Sequence, residues 1–235
     1  MGFLSVAERT MPDGVYVDAV VGVSGTDWPI GTPGAPVDNI TDAKTIATAH
    51  NTNLLRVVSP YGTHELDADF EYYRVIGPAT NKELVSIDIN GQSIEGSVFE
   101  GIAVVDTGPG EACGRGAEFH DCHIYFQDMS GSGFFHNCRF YDLFLAAYAK
   151  AYLFNCYAEE ETATYILAAA NVTIAVVNFS GYFDIQNLTG GTHYLTFANA
   201  HVYIAGDCTG GTLNIYGTAK VDVHPSATST VNDYT

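Results

Sequence analysis

Positive charge is scarce in this chain. Nine Lys and Arg stand against 27 Asp and Glu, the formal charge is −18 at pH 7, and only 15% of the 235 residues are charged. Such a balance repels phosphate and excludes a surface that binds nucleic acid along its length. The low hydrophobicity of a disordered chain is also missing: 47% of residues are hydrophobic, with 15 Tyr and 13 Phe available for burial. The chain lacks the Glu, Lys, Leu and Ala enrichment of bundles and coiled coils. It has neither a basic start nor an early apolar run of signal-peptide length. Val6 stands where a myristoylation site requires Ser or Thr. The most apolar stretch, Tyr165 to Phe179, is interrupted by Asn171, Thr173 and Asn178 and reads as strand, not as a membrane span. The expectation is a soluble protein without an anchor or membrane insertion.

Cysteine is sparse and unpatterned. Cys113, Cys122, Cys138, Cys156 and Cys208 are odd in number and form no CxxC pair. This excludes a disulfide scaffold and a zinc ribbon, and leaves small core hydrophobes as the reading of the thiols.

What is abundant is glycine, 24 residues, and short β-branched or aromatic runs. Residues 15–21 alternate as a strand. Gly22 to Pro36 is a long loop rich in Gly and Pro. Ile40, Ala43, Ile46 and Ala47 then recur at helical spacing, with Asp38 or Thr41 as the expected cap. This is the only helix the sequence predicts, and 54–58 follows as a short buried strand. From about residue 72 the chain becomes a series of short strands punctuated by Gly, Asn or Asp.

Internal repetition decides how those strands are arranged. Phe119-His120-Asp121-Cys122 returns as Phe135-His136-Asn137-Cys138 and again as Leu153-Phe154-Asn155-Cys156, at spacings of 16 and 18 residues. Leu188-Thr189-Gly190-Gly191-Thr192 returns 20 residues later as Cys208-Thr209-Gly210-Gly211-Thr212. Short strands at such a period suit a solenoid in which equivalent residues form columns. In that register Phe119, Phe135 and Leu153 point inward. Asp121, Asn137 and Asn155 occupy the turn, where these residue types tolerate the left-handed conformation. Cys122, Cys138 and Cys156 re-enter the core, followed on the inside by Ile124, Phe140 and Ala158. His120, His136, Phe154, Tyr125, Tyr141 and Tyr157 face outward, as do His123 and Arg139.

Two stretches resemble the right-handed parallel β-helix family, and more narrowly phage and phage-like structural proteins with that fold. One runs from Gly14-Val15-Tyr16-Val17-Asp18 through Trp28-Pro29-Ile30-Gly31 to Asp38-Asn39-Ile40 and Asp42-Ala43; the other is the Asn/Asp-Cys series, the TGGT coil and the Gly217-to-Val221 strand. Together they cover most of residues 14–224. The resemblance implies an all-β parallel β-helix with one N-terminal capping helix, and a homotrimer. It divides the chain into a leader and attachment segment (1–36), the capping helix and first strands (37–71), the coils (72–224), and a tail (225–235) that either covers the far end or stays mobile. The implied partners are the chain itself and a capsid or tail protein bound through the N-terminal segment. The implied place is the virion surface, after synthesis in the host cytoplasm.

No residue stands out as catalytic. Asp88 with Glu95, or Glu118 with Asp128, are candidate carboxylate pairs for cutting a host-surface glycan, but no distinctive motif surrounds them. Glu159-Glu160-Glu161 reads as solvated surface. No GxSxG and no phosphate-loop ending occur. His120 and His136 would stack about 4.8 Å apart, but a turn separates His120 from His123 and spoils a metal site. The expectation is no cofactor and no metal. The outward aromatics are the candidate interface, because large exposed apolar patches mark contacts.

Overall fold

The computed structural model describes residues 11, 13–78, 82–108, 112–113, 115–146, 148–167 and 171–235. The side chains at 82, 112–113, 126–128 and 159–167 are not among those described. Residues 1–10 and 12 of the leader, the Asp128 carboxylate, the Cys113 thiol and the Glu159–Glu161 side chains therefore lie outside the described residues.

The chain is an all-β parallel solenoid with a single α-helix among the described residues. Strand follows strand in two stacks. The first stack begins with β1 (Val15–Val17), on which β2 (Leu54–Val57) lies in parallel. The second begins with β3 (Gly62–Glu65). Upward, the first stack continues through β4 (Arg74–Ile76) and β6 (Val98–Glu100), and the second through β5 (Val85–Asp88) and β7 (Ala103–Asp106). A short β8 (Ala112–Cys113) pairs with the end of β10 (His123–Ser130). In the middle rungs β9 (Ala117–His120), β11 (Ser132–His136) and β13 (Lys150–Phe154) extend the first stack. Beside them, β10, β12 (Arg139–Leu145) and β14 (Tyr157–Leu167) extend the second. Above these lie β15 (Thr173–Val177) and β16 (Ser180–Gln186). The long strands β17 (Thr189–Ile204) and β18 (Gly210–Val223) each serve both stacks, turning the corner without leaving the sheet.

Alternation fixes which side chains fill the interior. Phe119, Phe135, Leu153, Val176 and Phe197 form one continuous inward column, all fully buried or nearly so. Its lower rings lie flat on one another, Phe99 on Phe119 at 5.4 Å and Phe119 on Phe135 at 4.8 Å, each pair within 9° of parallel. A rung spacing near 4.8 Å imposes that overlap, which adds to simple area burial.

The base departs from the expected strand and cap. β1 stops at Val17 rather than Val21, because the Asp18 carboxylate accepts from the Val20 and Val21 amides and bends the chain into a turn. α1 (Ile40–Ala49) is capped by Asn39, which has extended backbone and whose side chain accepts from the Asp42 amide at 2.7 Å. Neither Asp38 nor Thr41 takes that role; Asp38 holds the Asn39 amide group instead. The buried helix face is Ile40, Ala43, Ile46 and Ala47, which packs on β1 and β2.

The segment between β1 and α1 is built into the first rung. Tyr16 and Val37 amides donate to Gly31 and Tyr16 carbonyls, and Asp18 donates to Val37. Strand pairing thus starts well before residue 72. At the other end, β19 (Thr230–Tyr234) pairs with residues 212–216 of β18, so the tail adds a rung.

Candidate interaction surface

The two stacks meet at a sharp corner. Asp121, Asn137 and Asn155 stand there with φ of 54°, 55° and 53°. Asn178 and Asn199 continue the column upward with the same conformation, and Gly101 continues it downward. From Gly101 to Asn178 each corner amide donates to the carbonyl before the next corner, Asn137 to Phe154 and Asn155 to Val177, for example, whereas the Asn199 amide donates to the Thr218 hydroxyl. In the upper part the side-chain amides also join: Asn178 donates to Asn155 at 3.0 Å and Asn199 to Asn178 at 3.1 Å. A left-handed backbone costs a residue with a Cβ about 1–2 kcal/mol, which Asn and Asp offset locally. This explains why these residue types recur at one position.

The corner divides the outward candidates between two faces. On the first, His120, His136 and Phe154 stack plane on plane, at 4.8 Å and 5°, then 4.9 Å and 10°. Phe134 and Tyr152 form a parallel column beside them, at 4.8 Å and 10°. Those two residues belong to the same strip and were missed in the sequence, although alternation from inward Phe135 places Phe134 outward. Tyr125, Tyr141 and Tyr157 lie on the second face, beyond the corner. The six outward residues thus fall on two strips, with the Asn corner between them. Nor do Tyr125 and Tyr141 align rung to rung. β12 has an irregularity after Phe140, so Tyr125 faces Asp142, and Tyr141 meets Tyr125 edge-on at 6.4 Å.

The electrostatics of the faces differ. On the first, Glu118 pairs with His120 at 3.2 Å. Burial within the strip, then the neighbouring His120 ring, holds the His136 pKa below its ordinary value, with Glu118 opposing. On the second, a groove of about 420 Å³ is walled by Tyr125 and Tyr141, with His123 and Glu83 among its polar groups. Arg139 reaches Glu83 at 3.5 Å. Higher on this face His201 and Lys220 both hold Asp222, at 2.6 and 2.9 Å. The His201 bond, then that from Lys220, draws the Asp222 pKa down.

Of the carboxylates singled out in the sequence, Asp88, Glu95 and Glu118 have structural partners. Asp88 accepts from the Asn90 and Thr107 amides and from the Thr107 hydroxyl. Glu95 accepts from Tyr72 at 3.3 Å. Among the described residues no three of His, Cys, Asp and Glu converge on a point that would hold a metal ion. Nor is any described helix long and apolar enough to cross a membrane. The chain matches no protein-family model, no curated protein and no solved structure.

Proposed function

We propose that this chain is a non-enzymatic structural protein of a phage-like particle: a spike, fibre or surface decoration whose solenoids associate as a homotrimer. The observation that carries the reading is the outward strip of Phe134, Tyr152, His120, His136 and Phe154. Stacking leaves these rings half-buried in the single chain, and their remaining apolar area is the kind of patch a subunit contact covers. The resemblance to phage β-helix proteins supports the number three. The charge of −18 favours solubility on a densely populated surface.

Attachment is assigned to the basal loop. Because residues 14–37 are hydrogen-bonded into the first rung, the contact falls to the side chains this loop exposes, among them Val21 (69% exposed) and Trp28 (44%). Sedimentation at micromolar concentration tests the trimer directly. A species three times the 25.2 kDa chain mass is expected, and Phe154→Glu is expected to reduce it to single chains. A wild-type monomer would sink the proposal. Val21→Asp with Trp28→Ala should remove the protein from particles while leaving the trimer intact.

A second reading, a polysaccharide-binding or -degrading tailspike, is favoured by the groove of Tyr125 and Tyr141. Aromatic walls beside His123 and Glu83 suit stacking on a sugar ring with polar groups to orient it. Glycan-array binding lost in Tyr141→Ala would support it, and released reducing ends would extend it to cleavage.

A further inference from the structure

The buried thiols are a feature that neither reading uses. Cys122, Cys138 and Cys156 occupy the position just after the corner on three successive rungs. Their backbones are in register: the Arg139 amide donates to the Cys122 carbonyl and the Tyr157 amide to that of Cys138. Each thiol makes the same bond, to the carbonyls of Phe99, Phe119 and Phe135 at 3.3, 3.3 and 3.5 Å. Equivalent side chains two residues earlier repeat at 4.8 and 4.9 Å, as the His120–His136–Phe154 stack records. The three sulfurs consequently form a column with one sulfur per rung.

We propose that this column is a binding site for a soft cation that prefers two ligands in a line, copper(I) being the biological member of that class, held between the sulfurs of adjacent rungs. Two metal–sulfur bonds of about 2.3 Å placed end to end span about 4.6 Å, close to one rung. Thiolate ligands select copper(I) over harder ions. A tetrahedral ion finds too few donors, since around the column stand phenyl rings and carbonyls already accepting hydrogen bonds. Charge also balances. One copper(I) displaces one thiol proton to solvent, giving a thiolate–copper–thiol unit with no net charge, so the apolar interior gains no ion and no oxidant is needed.

Entry is at the top of the column. Cys156, 2% exposed, lines a surface groove of about 640 Å³ together with Asn155, Tyr157, Asn178 and Ser180. The gap nearest the groove, between Cys156 and Cys138, therefore takes the first ion.

Cys208 supplies an internal control. It is buried and makes the same kind of bond, to the Ile185 carbonyl at 3.2 Å, but its column neighbours are Leu188 and Ala227. The experiment uses the folded full chain with Cys113→Ser as parent, titrated with copper(I) alone under anaerobic conditions and followed by native mass spectrometry and chelator competition. One ion per chain is expected first, then a second between Cys138 and Cys122. Cys138→Ser, which interrupts both gaps, should weaken binding by about a hundredfold, and Cys208→Ser should leave it unchanged. Equal uptake by parent and Cys138→Ser, or uptake only in denaturant, overturns the proposal. If Cys138→Ser fails to fold, X-ray absorption on the loaded parent decides: two sulfurs in a line support the site, and three or four ligands overturn it.

Discussion

The middle rungs, around residues 117–158, and the last rungs, 189–223, solve one problem with different materials. Both must turn the same corner once per coil and fill the space behind it. In the middle the interior is bulky: Phe119 and Phe135 lie in van der Waals contact beside a column of thiols. In the last rungs the backbones themselves approach. A Cβ on Gly210 would stand 2.4 Å from the Thr189 carbonyl oxygen, and one on Gly217 would stand 2.1 Å from that of Phe197. Polar groups also enter, with His193 and Asn214 buried. The corner changes too. β17 turns at Asn199, but β18 has one residue fewer there, and Gly217 takes up the difference at φ 98°. Rung spacing and a left-handed corner are therefore what the solenoid requires, while the identity of the filling is free to vary.

The comparison breaks most easily at the rings. Phe135→Ala removes a fully buried phenyl stacked on one side by Phe119 and met edge-on by Phe140. A loss of about 3–5 kcal/mol is expected. Leu213→Ala in the last rungs should cost about 2–4 kcal/mol. Solenoids open locally, so hydrogen exchange resolved by segment is the suitable measurement, with losses confined to neighbouring rungs. A loss at Phe135 no larger than that at Leu213, in proportion to the apolar area each change removes, would mean the aromatic column adds nothing beyond its area. Next in size is Gly217→Ala, which combines the positive φ with a clash against fixed backbone. It should cost about 2 kcal/mol or more, while the same change at Gly34, which has open space and no positive φ, should be close to neutral.

Much of this difference could be read in the sequence, and some could not. The triple recurrence of Phe/Leu-x-Asn/Asp-Cys marks the corner because three constraints coincide in four residues: an inward ring, a left-handed turn and a return to the core. Asn178 and Asn199 meet the same corner requirement, but Phe179 and Ala200 replace Cys behind them, so the motif dissolves where the geometry persists. The TGGT pair is visible as a repeat, yet its register slips by one residue, Thr189 facing Gly210 while Thr192 faces Thr212. Irregularities of this kind, like the one that sets Tyr125 opposite Asp142, depend on neighbouring rungs and leave no local signal. The cap on Asn39 rather than Asp38 or Thr41 is a choice among adjacent polar residues that only the entry angle of the chain decides. The groove beside Glu83 joins residues far apart in sequence, which periodicity cannot bring together.

A smaller effect separates conformational from side-chain contributions at the corner. Asn155→Gly keeps the left-handed backbone and loses the bond from Asn178, so a change of about 0.5–1 kcal/mol is expected. Asn155→Ala loses both and should cost about 1–2 kcal/mol. If Gly proves as damaging as Ala in urea denaturation, the amide ladder rather than the backbone conformation is what the corner selects.

The smallest expected effect is in pH dependence, and it distinguishes the buried polar filling of the last rungs from the apolar middle. His193 is fully buried; its Nε2 donates to the Gly190 carbonyl at 2.9 Å, while Nδ1 has no hydrogen-bond partner. Burial lowers its pKa, with the Gly190 bond opposing. The folded protein therefore refuses a proton that the unfolded chain accepts near its ordinary pKa of about 6.5. The linked stability is fully present above that value and falls as pH drops through it toward the depressed folded value. His64 at the base and His136 on the first face act in the same direction. Asp184 acts oppositely, since burial raises its pKa, and its contribution is lost as pH rises through the folded value. His193→Leu, which places an apolar side chain beside Leu213 in its own column, should change stability at pH 7.5 by less than about 1 kcal/mol. It should also flatten the decline between pH 7 and about 5. Denaturation curves at both pH values for wild type and variant provide the check. If the variant declines as steeply as wild type, proton refusal at His193 contributes nothing, and the acid sensitivity belongs to the imidazoles outside the last rungs.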